Sequence, residues 1–332
     1  MDITQKIDKN KTLIAGIGAA LIDILSHETD DFLEKLGNKK GGMTYVDVEF
    51  IERTLLKLTG NASIVPGGAA CNTIIGIGQL GGETRFVGKR GMGKFGDLFE
   101  TELKKSNVEP HLFTTPTSTG RVLSIITPDA QRSMFTLLGA SSEMHPEEIS
   151  YRCFQNAAIL FLEGYLVFNP DLTIAALNAA KAAGSVIAMD LASFDVVESS
   201  KDFLEKIVID YVDILIANED ESKVFTGYSD ETEALKALAE NVDVAVLKVG
   251  KRGSFISHQG NIIKVEPKGT GAALDTTGAG DLWASGFLFG LVNGYPLEKC
   301  GELASACGYE VCQVMGAKIP EKGWERIKKI LE

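Results

Sequence analysis

At 332 residues the chain is long enough to bury a large core, and it reads as one big α/β domain with an appendage rather than two equal domains. A net charge of −12 argues against nucleic acid, whose phosphate backbone calls for a broad basic surface. The sequence has no apolar run of membrane-spanning length, its Met1–Asn10 stretch is too polar for a signal peptide, and its five cysteines lack zinc-type pairing with histidine, so a cytoplasmic protein with reduced thiols is expected.

In chain order, Leu13 to Gly16 reads as a first strand. From Ala19 to Tyr45 the apolar residues alternate, which marks half-buried strands. A glycine turn follows at Pro66-Gly-Gly-Ala-Ala-Cys-Asn72, then a strand at Thr84 to Val87. Alternation returns between Ser118 and Thr136, as in Arg121-Val-Leu-Ser-Ile-Ile126. Apolar strands at 158–162, 186–190, 214–216 and 244–249 are separated by helical stretches, notably 172–183 and 232–238. Short apolar strands alternating with helices predict a mostly parallel sheet covered on both faces.

The most informative segment is Asp275-Thr-Thr-Gly-Ala-Gly-Asp281, which leads into the apolar run Leu282 to Leu291. The run reads as a buried helix. The glycines permit a tight turn that bares the N–H groups of Gly278, Ala279 and Gly280 at the helix's positive end, a site for phosphate or developing phosphoryl charge. Asp281 stands in the first turn, where a carboxylate could take a proton from a hydroxyl while the amides hold the transferred group. An Asp that merely caps a glycine turn is the bland alternative, and it leaves the rest of the segment unexplained.

Two other patterns fail on chemistry. Gly88-Lys-Arg-Gly-Met-Gly-Lys94 has the spacing of a Walker A loop, but Phe95 stands where Ser or Thr would meet magnesium. Gly16-Ile-Gly18 hints at a dinucleotide fingerprint, but Leu21 replaces the third glycine and no acid follows at the expected point.

The segment ending at Asp281 resembles the second signature of the ribokinase-like (PfkB) carbohydrate kinase family. The first signature is also recognisable in Pro66 to Asn72, Leu80-Gly-Gly, Phe86 to Gly91 and Phe95-Gly-Asp97. Between the signatures lie Asn218-Glu-Asp-Glu221, similar to the family's Asn-x-x-Glu element, and Val246 to Gly253, similar to its nucleotide strand and turn. The resemblance implies a three-layer α/β/α domain (11–18, 50–117 and 139–332) with a small β lid (19–49 and 118–138) over the substrate.

It also implies roles. Asp281 is the catalytic base, helped by the amides of Gly278, Ala279 and Gly280 and by Arg132 reaching from the lid. Asp23 binds substrate hydroxyls, with Gly67, Gly68 and Asn72 close to the sugar. Asn218, Lys248, Gly250 and Gly253 serve ATP; Glu221 acts through water on the accompanying Mg²⁺, and Asp275 with Thr277 would touch a monovalent cation such as K⁺. Each has a bland alternative: a lid-surface acid for Asp23, a plain tight turn for Gly67 and Gly68, an acidic helix N-terminus for Asn218 to Glu221.

The early lid insertion, Gly41-Gly-Met-Thr44 and Gln131-Arg-Ser-Met134 resemble adenosine kinase-like members most in layout. Leu21, Met134 and Phe194 lie in segments that surround the purine in those members, although Phe194 could equally be packing. Two departures stand out: Gly93 replaces an acid, and Ala19 replaces an Asn near the purine. The expected activity is transfer of the ATP γ-phosphoryl group to a primary hydroxyl of an adenosine-like nucleoside, with a simple sugar as the alternative acceptor. A sensor that kept the fold without catalysis is the rival from a different class. Some relatives pair through their lids, so a monomer or a lid-mediated dimer is expected.

Overall fold

The computed structural model describes residues 3–37, 40–129 and 131–331; Met1 and Asp2 of the polar N-terminal stretch lie outside them. The strands run β1 (Leu13–Ile17), β2 (Leu21–His27), β3 (Met43–Tyr45), β4 (Ser63–Gly67), β5 (Thr84–Gly91), β6 (Val108–Thr115) and β7 (Gly120–Ile126). They continue as β8 (Arg132–Leu137), β9 (Ala157–Glu163), β10 (Val186–Asp190), β11 (Ile214–Asn218), β12 (Val244–Lys248), β13 (Ser254–His258) and β14 (Asn261–Val265).

The main sheet has the order β14-β13-β12-β11-β10-β9-β1-β5-β6, parallel from β12 to β6 with an antiparallel hairpin at the other edge. Its central strands are apolar on both sides because helices cover both faces. Along β9, Ile159 and Phe161 enter one core while Leu160 and Leu162 enter the other. The first core holds the helices Ala69–Leu80, Lys94–Lys105, Ala279–Val292 and Leu297–Val311; the second holds Pro170–Ala182, Phe194–Tyr211 and Glu231–Leu238. This is the three-layer α/β/α arrangement that the sequence pattern implied. Among the described residues no helix is long and apolar enough to cross a membrane.

The second sheet, β3-β8-β7-β2-β4, gathers the two segments expected to form the lid and adds β4 at its edge. Its pleat sends Leu21, Asp23, Val122, Ser124, Arg132, Met134 and Thr136 to a cavity beneath it. The alternate residues Ile22, Ile24, Leu123, Ile125 and Phe135 join Leu33 and Ile51 of the helices Asp30–Lys35 and Val48–Leu55, and the rings of Phe50 and Phe135 lie 5.0 Å apart. The lid is therefore two layers, a sheet backed by two helices, whose apolar residues run on into the first core of the α/β domain. Its first segment runs on to Gly67, past the boundary at 49 expected from the sequence, because β4 pairs antiparallel with β2. β4 is an edge strand carrying Pro66, and such a short Pro-Gly segment lacks the alternation that signals a strand.

The helix Ala279–Val292 is buried over Leu282 to Leu291 on all sides, as an apolar run without a polar face requires. A Cβ on Gly76 would sit 2.3 Å from Ser285 Oγ, so the helix Ala69–Leu80 can approach it closely only through glycine. Ser285 Oγ donates to Thr73 O at 2.8 Å and Thr73 Oγ1 to Asp281 O at 3.1 Å. These cross-links fix the depth and rotation at which the two helices present their first turns.

Candidate active site

Gly18 follows β1, and Glu163, Asp190, Asn218 and Lys248 end β9, β10, β11 and β12. All stand at the carboxyl edge of the parallel sheet, near the point where β5 and β9 leave β1 in opposite directions, which is where open α/β sheets form their crevice. A cavity of about 1020 Å³ opens there between sheet edge and lid.

Asp281 lines this cavity, and Asn72 Nδ2 donates to its Oδ2 at 2.9 Å. Burial pushes the Asp281 carboxyl up to about 7, with Asp190 and Glu163 raising it further and the Asn72 amide and Lys248 pulling it down. A base with that proton affinity is half-ionised near neutral pH and suited to accept a hydroxyl proton.

Gly278 adopts φ 73° and caps the helix without a side chain. The Ala279 N–H donates to Thr276 O at 3.1 Å and is consumed by the turn, contrary to the expectation that it stays open. The amides of Gly278 and Gly280 have no partner among the described residues, so an anion at this turn would meet those two donors. Asp275 Oδ1 accepts from Thr277 N at 2.9 Å and Thr277 Oγ1 at 2.6 Å, and its Oδ2 accepts from Gly316 N at 2.8 Å. Burial raises this carboxyl, but those bonds outweigh it and hold it below its usual range. Arg132 Nη1 donates to Thr277 Oγ1, bringing the lid guanidinium to the anion turn.

Asp23 also lines the cavity, on the strand that leaves the sheet edge for the lid. Burial raises its carboxyl to about 6, and Arg132 lowers it in part. A Cβ on Gly67 would lie 2.3 Å from the Asp23 carboxylate. Gly67 thus acts by making room for Asp23 across the β2–β4 pair and does not itself line the cavity, whereas Gly68 does. This corrects the expectation that Gly67 itself lies against the substrate.

Asn218 and Glu221 clasp each other at the start of the helix Glu219–Thr226: Asn218 N and Nδ2 donate to Glu221 at 2.7 and 2.6 Å, and Glu221 N donates to Asn218 Oδ1 at 2.9 Å. Burial and the neighbouring Asp190 raise the Glu221 carboxyl. Lys248 Nζ lies 2.6 Å from Asp190 Oδ2, and a Cβ on Gly280 would lie 3.0 Å from that ammonium. Lys248 therefore sits directly behind the anion turn. Burial opposes its charge, but Asp190 and Glu221 outweigh that and raise its pKa. Gly250 and Gly253 form the turn between β12 and β13. None of these residues lines the lid cavity.

Three carboxylates, Asp190, Glu221 and Asp281, share one ammonium here, so the site carries an uncompensated negative charge. No group of three or more ligating side chains forms a cage among the described residues. That negative charge fits Mg²⁺, which keeps most of its waters and is held mainly by nucleotide phosphates.

Phe194 does not line the cavity. Ser193 caps its helix, accepting from Val196 N at 3.2 Å, and Phe194 stands in the first turn, 48 % exposed. Leu21 and Met134 do line it, together with Met43, Tyr45, Tyr165 and Phe168, which the sequence reading passed over. Glu163 and Asp190 were passed over too; the signal for both is an acid closing an apolar strand, Ala-Ala-Ile-Leu-Phe-Leu-Glu163 and Val-Ile-Ala-Met-Asp190.

The model of the pfkB family carbohydrate kinases matches residues 32–323. The structure superposes on an adenosine kinase from Sinorhizobium meliloti with a TM-score of 0.86 at 29% identity, covering 97% of this chain and 100% of that one. A probable sugar kinase from Rhizobium etli gives 0.87 at 29% identity, over 96% of this chain and 98% of that one. A ribokinase from Arabidopsis thaliana is 28% identical over 290 residues, covering 82% of this chain and 74% of its own length. Kinases of this family use ATP with Mg²⁺. On a ribokinase-like fold with both signatures gathered at one sheet edge, the chain belongs to the pfkB family of carbohydrate kinases, phosphotransferases with an alcohol as acceptor.

Proposed function

We propose that the acceptor is a nucleoside of the adenosine type, phosphorylated at its primary hydroxyl. The observation that carries this is the large apolar side chains among the lining of the cavity. Met43, Tyr45, Tyr165 and Phe168 are 48, 59, 40 and 56 % exposed, and all four line the same space. Large apolar side chains gathered open to solvent mark a surface that a ligand covers, and a purine face is such a cover. A simple sugar would leave that wall bare. Against it stands Ala19, which offers a base edge no side-chain polar group, and this favours ribose or a similar sugar as the second reading.

In this mechanism Asp23 accepts the acceptor's hydroxyl hydrogens and aligns it, while Asp281 takes the proton of the attacking hydroxyl. The Gly278 and Gly280 amides and Arg132 hold the charge of the group in transit. Mg²⁺ bound with ATP would supply positive charge at the phosphate oxygens, and Glu221 and Asp190 are the carboxylates that would hold it through water. Asn218, Lys248, Gly250 and Gly253 form the nucleotide side. Closure of the lid excludes water and suppresses ATP hydrolysis.

The test is a panel of adenosine, ribose and fructose with ATP and Mg²⁺. Phosphorylation of ribose or fructose but not adenosine overturns the nucleoside reading and leaves the kinase intact. Comparing K⁺ with Na⁺ in the same assay tests the cation role of Asp275 and Thr277; equal rates would leave those residues with only the turn-locking bonds described above.

A further inference from the structure

Glu163 is 3 % exposed, yet no Lys, Arg or His pairs with it among the described residues. Its carboxylate accepts from two backbone amides only: Ala19 N to Oε1 at 2.9 Å and Ala70 N to Oε2 at 2.8 Å. A buried carboxylate held only by neutral donors is a costly feature, and an apolar residue closing β9 would avoid that cost.

The two amides belong to the two ends of the first lid segment. Ala19 is where the chain leaves β1 for β2, and Ala70 is where it returns from β4 into the helix Ala69–Leu80. The contact is close on both sides. A Cβ on Gly18 would lie 2.5–2.7 Å from the Glu163 carboxylate atoms, and a Cβ on Gly68 would lie 2.6 Å from Ala19 O. The helix that begins beside Ala70 has no side-chain cap, so the carboxylate also faces its unscreened positive end.

We infer that Glu163 is a positioning residue whose carboxylate straps both crossings between the lid and the α/β domain. Four residues beyond Ala19 stands Asp23, and two beyond Ala70 stands Asn72, which bonds Asp281. One rigid group at the root of the lid thereby sets the substrate-aligning acid and the partner of the base in a common frame. Small displacements of aligning groups weigh heavily in phosphoryl transfer, where catalysis is mostly placement.

The inference concerns the phosphotransferase reaction and holds for either acceptor, so it is tested with adenosine or ribose, whichever the wild-type enzyme phosphorylates. Glu163→Gln keeps the shape but turns an NH₂ toward one of the two amides; Glu163→Asp keeps the charge but is too short to reach both. Each is expected to lower kcat/KM for the acceptor by roughly 10²-fold while the KM for ATP stays within about twofold. Hydrogen exchange at the Ala19 or Ala70 amide should quicken in both. Gly18→Ala, whose methyl displaces the carboxylate from the other side, should reproduce the same pattern even if a Glu163 variant fails to fold. Wild-type acceptor kinetics in the folded variants overturns the inference. So does lost acceptor affinity with both amides still protected, which would mean that Glu163 touches the acceptor itself. An equal loss of ATP affinity and melting temperature would reduce it to a core residue.

Discussion

Asn72 and Asp281, 209 positions apart in the chain, meet through a 2.9 Å hydrogen bond between the first turns of two helices that pack through Gly76 and Ser285. The bond joins the two signatures into one site and tunes the carboxylate on which the proposed proton transfer depends. Asp281→Asn keeps the shape and can still accept from Asn72, but it cannot take a proton. Turnover should fall by roughly 10²–10⁴-fold with little change in ATP affinity. Near-normal steady-state turnover would remove Asp281 from the chemistry.

The same carboxylate sets a pH dependence. As its pKa is raised to about 7, kcat/KM should rise with pH through an acid limb near that value. The Asn72 amide is a lowering influence, so Asn72→Leu should move the limb upward. An unmoved limb in a pH–rate profile of the variant would assign it to another group, Asp23 at about 6 being the next candidate.

Stability follows with the opposite sign from an ordinary salt-bridged acid. The folded pKa of Asp281 lies above the unfolded value, so the protonated form favours folding, and that advantage is lost as pH rises from about 4 to about 7. Asp281→Asn, which never ionises, should therefore melt above wild type at pH 8, with the gap closing toward pH 5. Calorimetry at the two pH values gives the comparison, and a gap that widens in acid contradicts it.

Asp23→Ala should weaken acceptor binding by about 1–3 kcal/mol, because hydroxyls in the closed site lose their acceptor. Its carboxylate fills the space that Gly67 provides and contributes little to either core, and because burial raises its pKa to about 6 the variant should melt no lower than wild type at pH 8. An unaltered acceptor KM would leave Asp23 as a lid acid without a role in binding.

The aromatic wall gives the last contrast. Phe168→Ala should weaken adenosine by about 0.5–1.5 kcal/mol through lost stacking, whereas Phe194→Ala, outside the cavity, should leave it unchanged. Titrating both variants with adenosine and ribose checks this; the reverse ranking would place the base near Phe194.

The sequence by itself determined the features that neighbouring residues encode. Gly278 dictates a left-handed turn that leaves its own and the Gly280 amide open, the apolar run after Asp281 has no face to show water, and the short apolar strands require a sheet covered on both sides. Asn218 and Glu221, three apart, could be read as a unit because a helix start closes their bonds locally. What only the tertiary structure decided depends on which strand lies beside which. Glu163 is one more acid at the end of an apolar strand until β1 lies beside β9 and brings Ala19 to it. Lys248 joins Asp190 only because β11 lies between β12 and β10 and all three end at the same edge. β4 belongs to the lid because β2 offers it a free edge, a pairing that no local pattern announces. Phe194 falls outside the cavity and Phe168 within it because Phe194 starts the helix that Ser193 caps, whereas Phe168 ends the 3₁₀ turn Gly164–Phe168 that follows β9 at the sheet edge. Local turn and helix chemistry acts over a few bonds and is written in adjacent residues, whereas these partnerships are set by sheet order and packing, which the whole chain settles at once.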